Sequence, residues 1–376
     1  MKISAHQQNF KKNLLRWNIA MNKREMPWKG EKDPYKIWLS EIILQQTRVE
    51  QGLAYYNRFI SNFPTVGELA NTSETKVFKL WEGLGYYTRC KNLIATAKYI
   101  SNDLHGKFPD TYDNILSLKG IGPYTAAAIG SFAFNLPYAV VDGNVFRVLA
   151  RYFGIVTPVD GSAGKKQFTI LAHELLDKKH PGNYNQALMD FGAVICKPLL
   201  PLCSGCIMNR RCIAYQLGTV LQLPVKEKLL TKKSRWLYYV VIELNNKLYV
   251  RKRGAGDIWE NLYEFALIES KDKLKLDSNQ IKIMATSLMA KGNFEIMGIS
   301  QEYKQLLTHQ TIRGQFIHLK IKSPMLLNTY KMVTKKALQQ LPFPKFISNY
   351  LKDKNVSLNL VYSNEKSHLI DLIPLT

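Results

Sequence analysis

The residues of this 376-residue chain best suited to chemistry are a set of cysteines and two isolated carboxylates. Cys196, Cys203, Cys206 and Cys212 follow a C-x6-C-x2-C-x5-C pattern, and Cys90 is the one cysteine outside it. Four thiolates from one short loop can ligate zinc or an iron-sulfur cluster. Zinc loops usually pair two close doublets, which the wide first gap does not match, so the spacing favours a 4Fe-4S cluster. Lys197, Arg210 and Arg211 lie in or beside the loop, where cations can hold phosphates. Glu41 is the single charge in Trp38-Leu39-Ser40-Glu41-Ile42-Ile43-Leu44-Gln45-Gln46-Thr47. Burial on such an apolar face raises a carboxyl pKa and keeps the group protonated, as an acid. Asp142 stands in Val141-Asp142-Gly143-Asn144-Val145, and by itself an aspartate before glycine reads as a turn or helix cap. Between the two acids, Leu118-Lys119-Gly120-Ile121-Gly122-Pro123-Tyr124-Thr125-Ala126 sets two glycines between helical segments. Such a turn can take positive φ and aim backbone N–H groups at an anion.

These residues need elements to position them. The length favours two domains. Lys and Arg total 52 against 29 Asp and Glu, a formal +23, while 46% hydrophobic content keeps the chain globular. A polyanionic partner is expected. Nucleic acid is favoured over membrane because the basic residues are spread through periodic sequence, with no polybasic tail or lipidation signal. Met1 to Trp17 has no uninterrupted apolar core, so a cytoplasmic protein is expected rather than a secreted one. Gly120 to Val141 carries no charge, yet its glycines and prolines break it into a short buried helix followed by another, not a membrane span.

From Pro34 to about Ile60 apolar residues recur at helical spacing behind Asp33 as N-cap. Further short helical patterns run to Ala214, which predicts an all-α domain over residues 1–220. Pro224 with Lys226, Lys228, Lys232 and Lys233 marks a basic linker over 221–234. Beyond it the period falls to two. Strands are expected over 237–244 and 247–251 around an Asn245-Asn246 turn, and over 263–268 and 315–321. Helices over 281–291 and 335–351 make residues 235–376 an α+β domain, so the chain is multidomain.

The cysteine spacing resembles the C-terminal cluster loop of the endonuclease III and MutY glycosylases. The Gly120-x-Gly122 turn resembles the helix-hairpin-helix of the same superfamily, and Asp142 follows where that family carries its active-site aspartate. The segments around Glu41 and Gly83-Leu84-Gly85-Tyr86-Tyr87-Thr88-Arg89 resemble the adenine DNA glycosylase (MutY) branch. The resemblance implies a monofunctional N-glycosylase that flips adenine from mispairs with 8-oxoguanine or guanine and hydrolyses its N-glycosidic bond. Glu41 would protonate adenine, and Asp142 would stabilise an oxocarbenium-like state with Tyr124 and Asn144 beside it. Tyr124 stands where the bifunctional relatives place a nucleophilic lysine, and a Schiff base needs an amine. The same resemblance makes Cys196, Cys203, Cys206 and Cys212 ligands of a 4Fe-4S cluster. Arg24, Trp28 and Gln186 would form the adenine pocket, with Tyr86 as a wedge and Gln46 and Leu84 lining the gap. Gly120, Gly122 and Thr125 would meet the DNA backbone.

The second domain would be Nudix-like and read 8-oxoguanine. Many members carry Phe-Ser-His in the reading loop; here Leu307-Thr308-His309 keeps a hydroxyl and a ring nitrogen but lacks the aromatic ring. Gly256 and Glu264 sit where a Nudix hydrolase begins its metal motif, but no paired glutamates follow, so pyrophosphatase activity is not expected. The expected partner is double-stranded DNA holding A:8-oxoG or A:G, bound by a monomer away from membranes. Two other readings stay open: an endonuclease III-like glycosylase/lyase for oxidised pyrimidines, and a non-catalytic iron-sulfur DNA-binding protein.

Overall fold

The computed structural model describes residues 4–227, 232–289, 293–324, 329–353 and 358. The chain divides into two compact units, Met1–Thr231 and Lys232–Thr376. Within the expected linker, residues 228–231, Lys228 among them, lie outside the described residues.

The regular structure described in the first unit is helical: α1 (Ala5–Met21), α2 (Pro34–Leu44), α3 (Val49–Asn62), α4 (Val66–Asn71), α5 (Glu74–Trp81), α6 (Tyr87–Asn102), α7 (Tyr112–Leu116), α8 (Pro123–Phe134), α9 (Gly143–Phe153), α10 (Ser162–Leu175), α11 (Pro181–Val194) and α12 (Ile213–Gln216). Local chemistry sets many of the starts. Ser4 and Gln7 form a capping box on α1, Asp33 caps α2 ahead of Pro34, and Gly122 and Asp142 are the N-caps of α8 and α9. The helical periodicity over 34–60 is not one helix but two. Both bury their apolar faces, so the pattern runs through a break at Gln45–Arg48, where Gln46 takes a left-handed φ of 55°. No glycine or proline marks that break in the sequence.

α2 is buried at Tyr35 and at every position from Ile37 to Ile43, Glu41 included. A helix buried on nearly all sides belongs in a core. α1, α9, α10 and α11 build a further core from Phe10, Leu14, Trp17, Val148, Phe168 and Phe191, against which Cys196, Cys206 and Cys212 pack. The uncharged stretch resolves as α8, a left-handed Asn135, and extended chain leading to α9. No helix among the described residues is long and apolar enough to cross a membrane.

The second unit is α+β. β1 (Lys233–Leu244) and β7 (Gln310–Ile321) run parallel at the centre of a mixed sheet with β2 (Lys247–Lys252), β3 (Tyr263–Glu264), β4 (Ala266–Ser270), β5 (Phe294–Ile299), β6 (Tyr303–Leu306) and β8 (Lys331–Thr334). Asn245 and Asn246 both have positive φ, 47° and 60°, the backbone a two-residue type I′ hairpin needs. α13 (Ser278–Met289) packs on one face; residues 290 and 291 of the expected helix lie outside the described residues.

Two expectations change. The strand over 263–268 is split at Phe265 into β3, which pairs with β2, and β4, which pairs with β1. The helix over 335–351 is two, α14 (Lys335–Gln339) and α15 (Lys345–Lys352), because Pro342 and Pro344 lack the N–H and the room to continue one.

Candidate active site and cysteine loop

α2 delivers Glu41, the start of α8 delivers Tyr124, and the start of α9 delivers Asp142 and Asn144. All four line one cleft of about 420 Å³, with Arg24, Trp28, Gln46 and Gln186. Glu41 is only 6% exposed. Burial pushes its carboxyl up to about 7; the Tyr124 hydroxyl, which donates to it, pulls the other way, and the Asp142 charge adds to the rise. Asp142 accepts from the Val145 N–H at 2.8 Å and from Asn144 Nδ2 at 2.7 Å. Burial raises its carboxyl above the usual range, and those two donors, with the nearby Arg147 charge, oppose the shift. Asp142 is therefore both the cap of α9 and a carboxylate facing the cleft. The cleft holds one acid poised near neutrality and one hydrogen-bonded carboxylate, an arrangement suited to protonating one group while stabilising positive charge on another.

Two lining residues of the cleft, Arg24 and Gln186, are held by a residue that sequence reasoning missed. Asp190, fully buried on α11, accepts from Arg24 Nη1 at 2.8 Å, Asn22 Nδ2 at 2.9 Å and Gln186 Nε2 at 3.0 Å, and pairs with Lys29 at 3.2 Å. It fixes two of the three residues expected to read a base. The third, Trp28, is set edge-on to Tyr56 at 5.1 Å while lining the cleft, so it packs and faces the site at once.

Behind Asp142, Arg147 donates from Nη2 to Asn144 Oδ1 at 2.8 Å and to the Gly192 carbonyl at 2.7 Å, and from Nε to the Cys196 carbonyl at 2.7 Å. α9 and α11 come this close because a Cβ on Gly192 would lie 2.6 Å from that of Asn144. Arg151, one turn on, donates to the carbonyls of Lys197 at 2.7 Å and Pro198 at 3.0 Å and to Cys196 Sγ at 3.4 Å. Both arginines carried a legible signal: charges four apart on an amphipathic helix that turn out buried. Cys196, Cys203, Cys206 and Cys212 line one cavity with Val148, Phe191 and Met208. The Met208 N–H donates to Cys206 Sγ at 3.4 Å. Among the described residues no group of three or more His, Cys, Asp or Glu side chains converges as ligands of a single ion.

Other expected residues are placed as follows. Gly120 has φ 81°, and a Cβ there would lie 2.7 Å from Asn92; Gly122 keeps an ordinary negative φ of −102°, so only the first glycine of the turn needs left-handed freedom. Thr125 is 2% exposed, its hydroxyl accepts from Gln45 Nε2 at 3.3 Å, and its backbone N–H lies in the first turn of α8. Leu84 is buried at 5% and does not line the cleft, whereas Tyr86 is 44% exposed on a left-handed backbone of φ 48°. Arg89, also missed, joins the Tyr86 and Gln46 turns. It donates to the carbonyls of Ile42 at 2.7 Å, Ile43 at 2.9 Å and Gln45 at 2.5 Å, and lies over the rings of Tyr86 at 5.2 Å and Trp81 at 5.3 Å. In the second unit Thr308 and His309 occupy the turn between β6 and β7, closed by the Leu307 N–H on the Gln310 carbonyl at 2.8 Å. Glu264 is held by Arg251 at 2.8 Å and by Arg253, so both its oxygens are occupied by guanidinium.

Comparison with known proteins identifies the family. Residues 39–168 match the family model of the HhH-GPD superfamily base excision DNA repair protein. The chain is 35% identical over 278 residues to the adenine DNA glycosylase of Buchnera aphidicola subsp. Schizaphis graminum, covering 73% of this chain and 80% of that one. It is 39% identical over 216 residues to the adenine DNA glycosylase of Homo sapiens, covering 55% and 39% of the two chains. A solved thermostable thymine-DNA glycosylase superposes with a TM-score of 0.52 at 30% identity, covering 56% of this chain and 97% of that one. The chain thus belongs to the adenine DNA glycosylase family, base-excision repair enzymes that hydrolyse the N-glycosidic bond of adenine.

Proposed function

We propose that the substrate is adenine opposite 8-oxoguanine or guanine in duplex DNA, extruded into the Glu41–Asp142 cleft by a monomeric enzyme acting on chromosomal DNA in the cytoplasm. The observation that carries this reading is the pairing, in one cleft, of a buried carboxyl raised to about 7 with a second carboxylate already hydrogen-bonded. Glu41 gives its proton to a ring nitrogen of adenine. The C1′–N9 bond breaks with its electron pair leaving on the base, Asp142 stabilises the sugar cation, and water adds at C1′, its released proton restoring the Glu41 carboxyl, to leave an abasic site. Tyr124 donates to Glu41 and orients it; Asn144 does the same for Asp142. Among the described residues no lysine lines the cleft, which supports base release without a Schiff base or strand cleavage. Arg24 and Gln186 hydrogen-bond the flipped base, Trp28 packs on it, and the turn from Gly120 to Gly122 meets the backbone through N–H groups at the start of α8.

Cys196, Cys203, Cys206 and Cys212 hold a 4Fe-4S cluster in this reading. Fit is supported by their arrangement around a cavity rather than at a point, by apolar walls, and by N–H groups of Arg151 and Met208 already directed at sulfur. The cluster supplies a structural staple for the loop that Arg147 and Arg151 grip. The second unit, Nudix-like in this reading, meets the opposite strand through Thr308 and His309. The occupied carboxylate of Glu264 argues against a metal-dependent hydrolase there.

The test is single-turnover incubation of iron-loaded protein with duplexes carrying A opposite 8-oxoguanine, A opposite G, and thymine glycol, scoring base release and strand cleavage separately. Adenine release without nicking is expected. Thymine glycol release with nicking would overturn the reading.

A further inference from the structure

We propose that Arg89 is the positioning residue for base extrusion, clamping with one guanidinium the two left-handed turns that present Gln46 and Tyr86. The inference rests on reading those two side chains as the ones that fill the stack when adenine leaves it. Gln46 and Tyr86 have φ of 55° and 48°, conformations a non-glycine residue keeps only where its surroundings over-determine them. Arg89 supplies that constraint from both sides. Its Nη1 satisfies carbonyls left open at the C-terminal end of α2, those of Ile42 at 2.7 Å and Ile43 at 2.9 Å, and that of Gln45, next to Gln46. Its Nη2 reaches Thr47 Oγ1, on the far side of Gln46, at 3.3 Å and the Gly85 carbonyl, next to Tyr86, at 3.5 Å. The guanidinium carbon lies over the Tyr86 ring, 5.2 Å from its centroid, and 5.3 Å from that of the buried Trp81, which backs the assembly.

A planar fork with fixed donors does this; an ammonium can reach one or two carbonyls but does not span both turns. Arg89 does not line the cleft, so it acts on extrusion through Gln46 and Tyr86 and not on the reacting atoms. Its loss should tax the opening of a base pair and spare bond cleavage in a base already unpaired.

The test compares the iron-loaded full chain with Arg89→Met and Arg89→Lys. Single-turnover adenine release is measured from A opposite 8-oxoguanine and from the same strand with A opposite an abasic-site analogue, where no pair opposes extrusion. Arg89→Met should lose about 10²-fold on the paired substrate and keep most of its rate on the unpaired one, with Arg89→Lys between. Thermal melting reads folding independently; if Arg89→Met does not fold, Arg89→Lys carries the same comparison. Equal losses on both substrates, or no loss on either, overturn the clamp. Failure of the underlying readings shows elsewhere in the assay. Wild-type protein that releases no adenine refutes the substrate assignment, and Tyr86→Ala and Gln46→Ala without a paired-to-unpaired split refute the wedge.

Discussion

Glu41 sets two pH dependences, of rate and of stability, that both fall as pH rises. As the acid in the proposed reaction it must be protonated, so the single-turnover rate should fall as pH rises through about 7. Its folded-state pKa lies above its ordinary value of 4.5, so its contribution to stability is complete below about 4.5 and is lost as pH rises through about 7. The loss is roughly 3 kcal/mol at alkaline pH. Glu41→Gln keeps an acceptor for Tyr124 and removes the ionisation, so urea melts at pH 5 and pH 8 should differ less in the variant than in wild type while base release disappears. A variant as pH-sensitive as wild type would show that the carboxyl is not buried as described. Glu41 drew notice in the sequence as a lone charge on an apolar face and Asp142 only through the family resemblance, and the structure sets both on one cleft. Asp190 and Arg89 were not legible there, because what matters in them is the partner, and Asp190 meets Arg24 across more than 160 residues of chain.

At the level of elements, helix starts were well written in the sequence, since caps and prolines are local chemistry, and interruptions were poorly written. The break between α2 and α3 has no glycine or proline; it is held open by Arg89, a contact from α6 that no window of adjacent residues contains. The proline pair that splits α14 from α15 was legible and was outweighed by apolar periodicity. The first turn of α9 illustrates what packing adds, because Arg147 reads the Cys196 and Gly192 carbonyls and Asn144 together. Arg147→Met should release Asn144 from one side and let Asp142 swing. Base release should fall by about 10²-fold, with DNA binding to an uncleavable duplex retained. Equal loss of binding and release would instead indicate a general disturbance of the unit.

For the whole molecule, the division near residue 231 lies within a stretch where composition shifts, whereas the central pairing of β1 with β7 has no counterpart in the sequence, because parallel neighbours some seventy residues apart leave no local mark. Two units with separate cores should lose structure separately. Removing iron with a chelator is expected to lower the melting transition of Met1–Thr231, whose second core packs on the cysteine loop, and to leave that of Lys232–Thr376 in place. A single transition unaffected by iron would count against the cluster. Asp142 caps α9 through an oxygen that asparagine also possesses, and the two residues cap about equally well. Asp142→Asn should therefore melt within about 1 kcal/mol of wild type while excision is lost. Such an allele would yield normal amounts of a folded protein without activity, and would escape any screen that ranks variants by abundance.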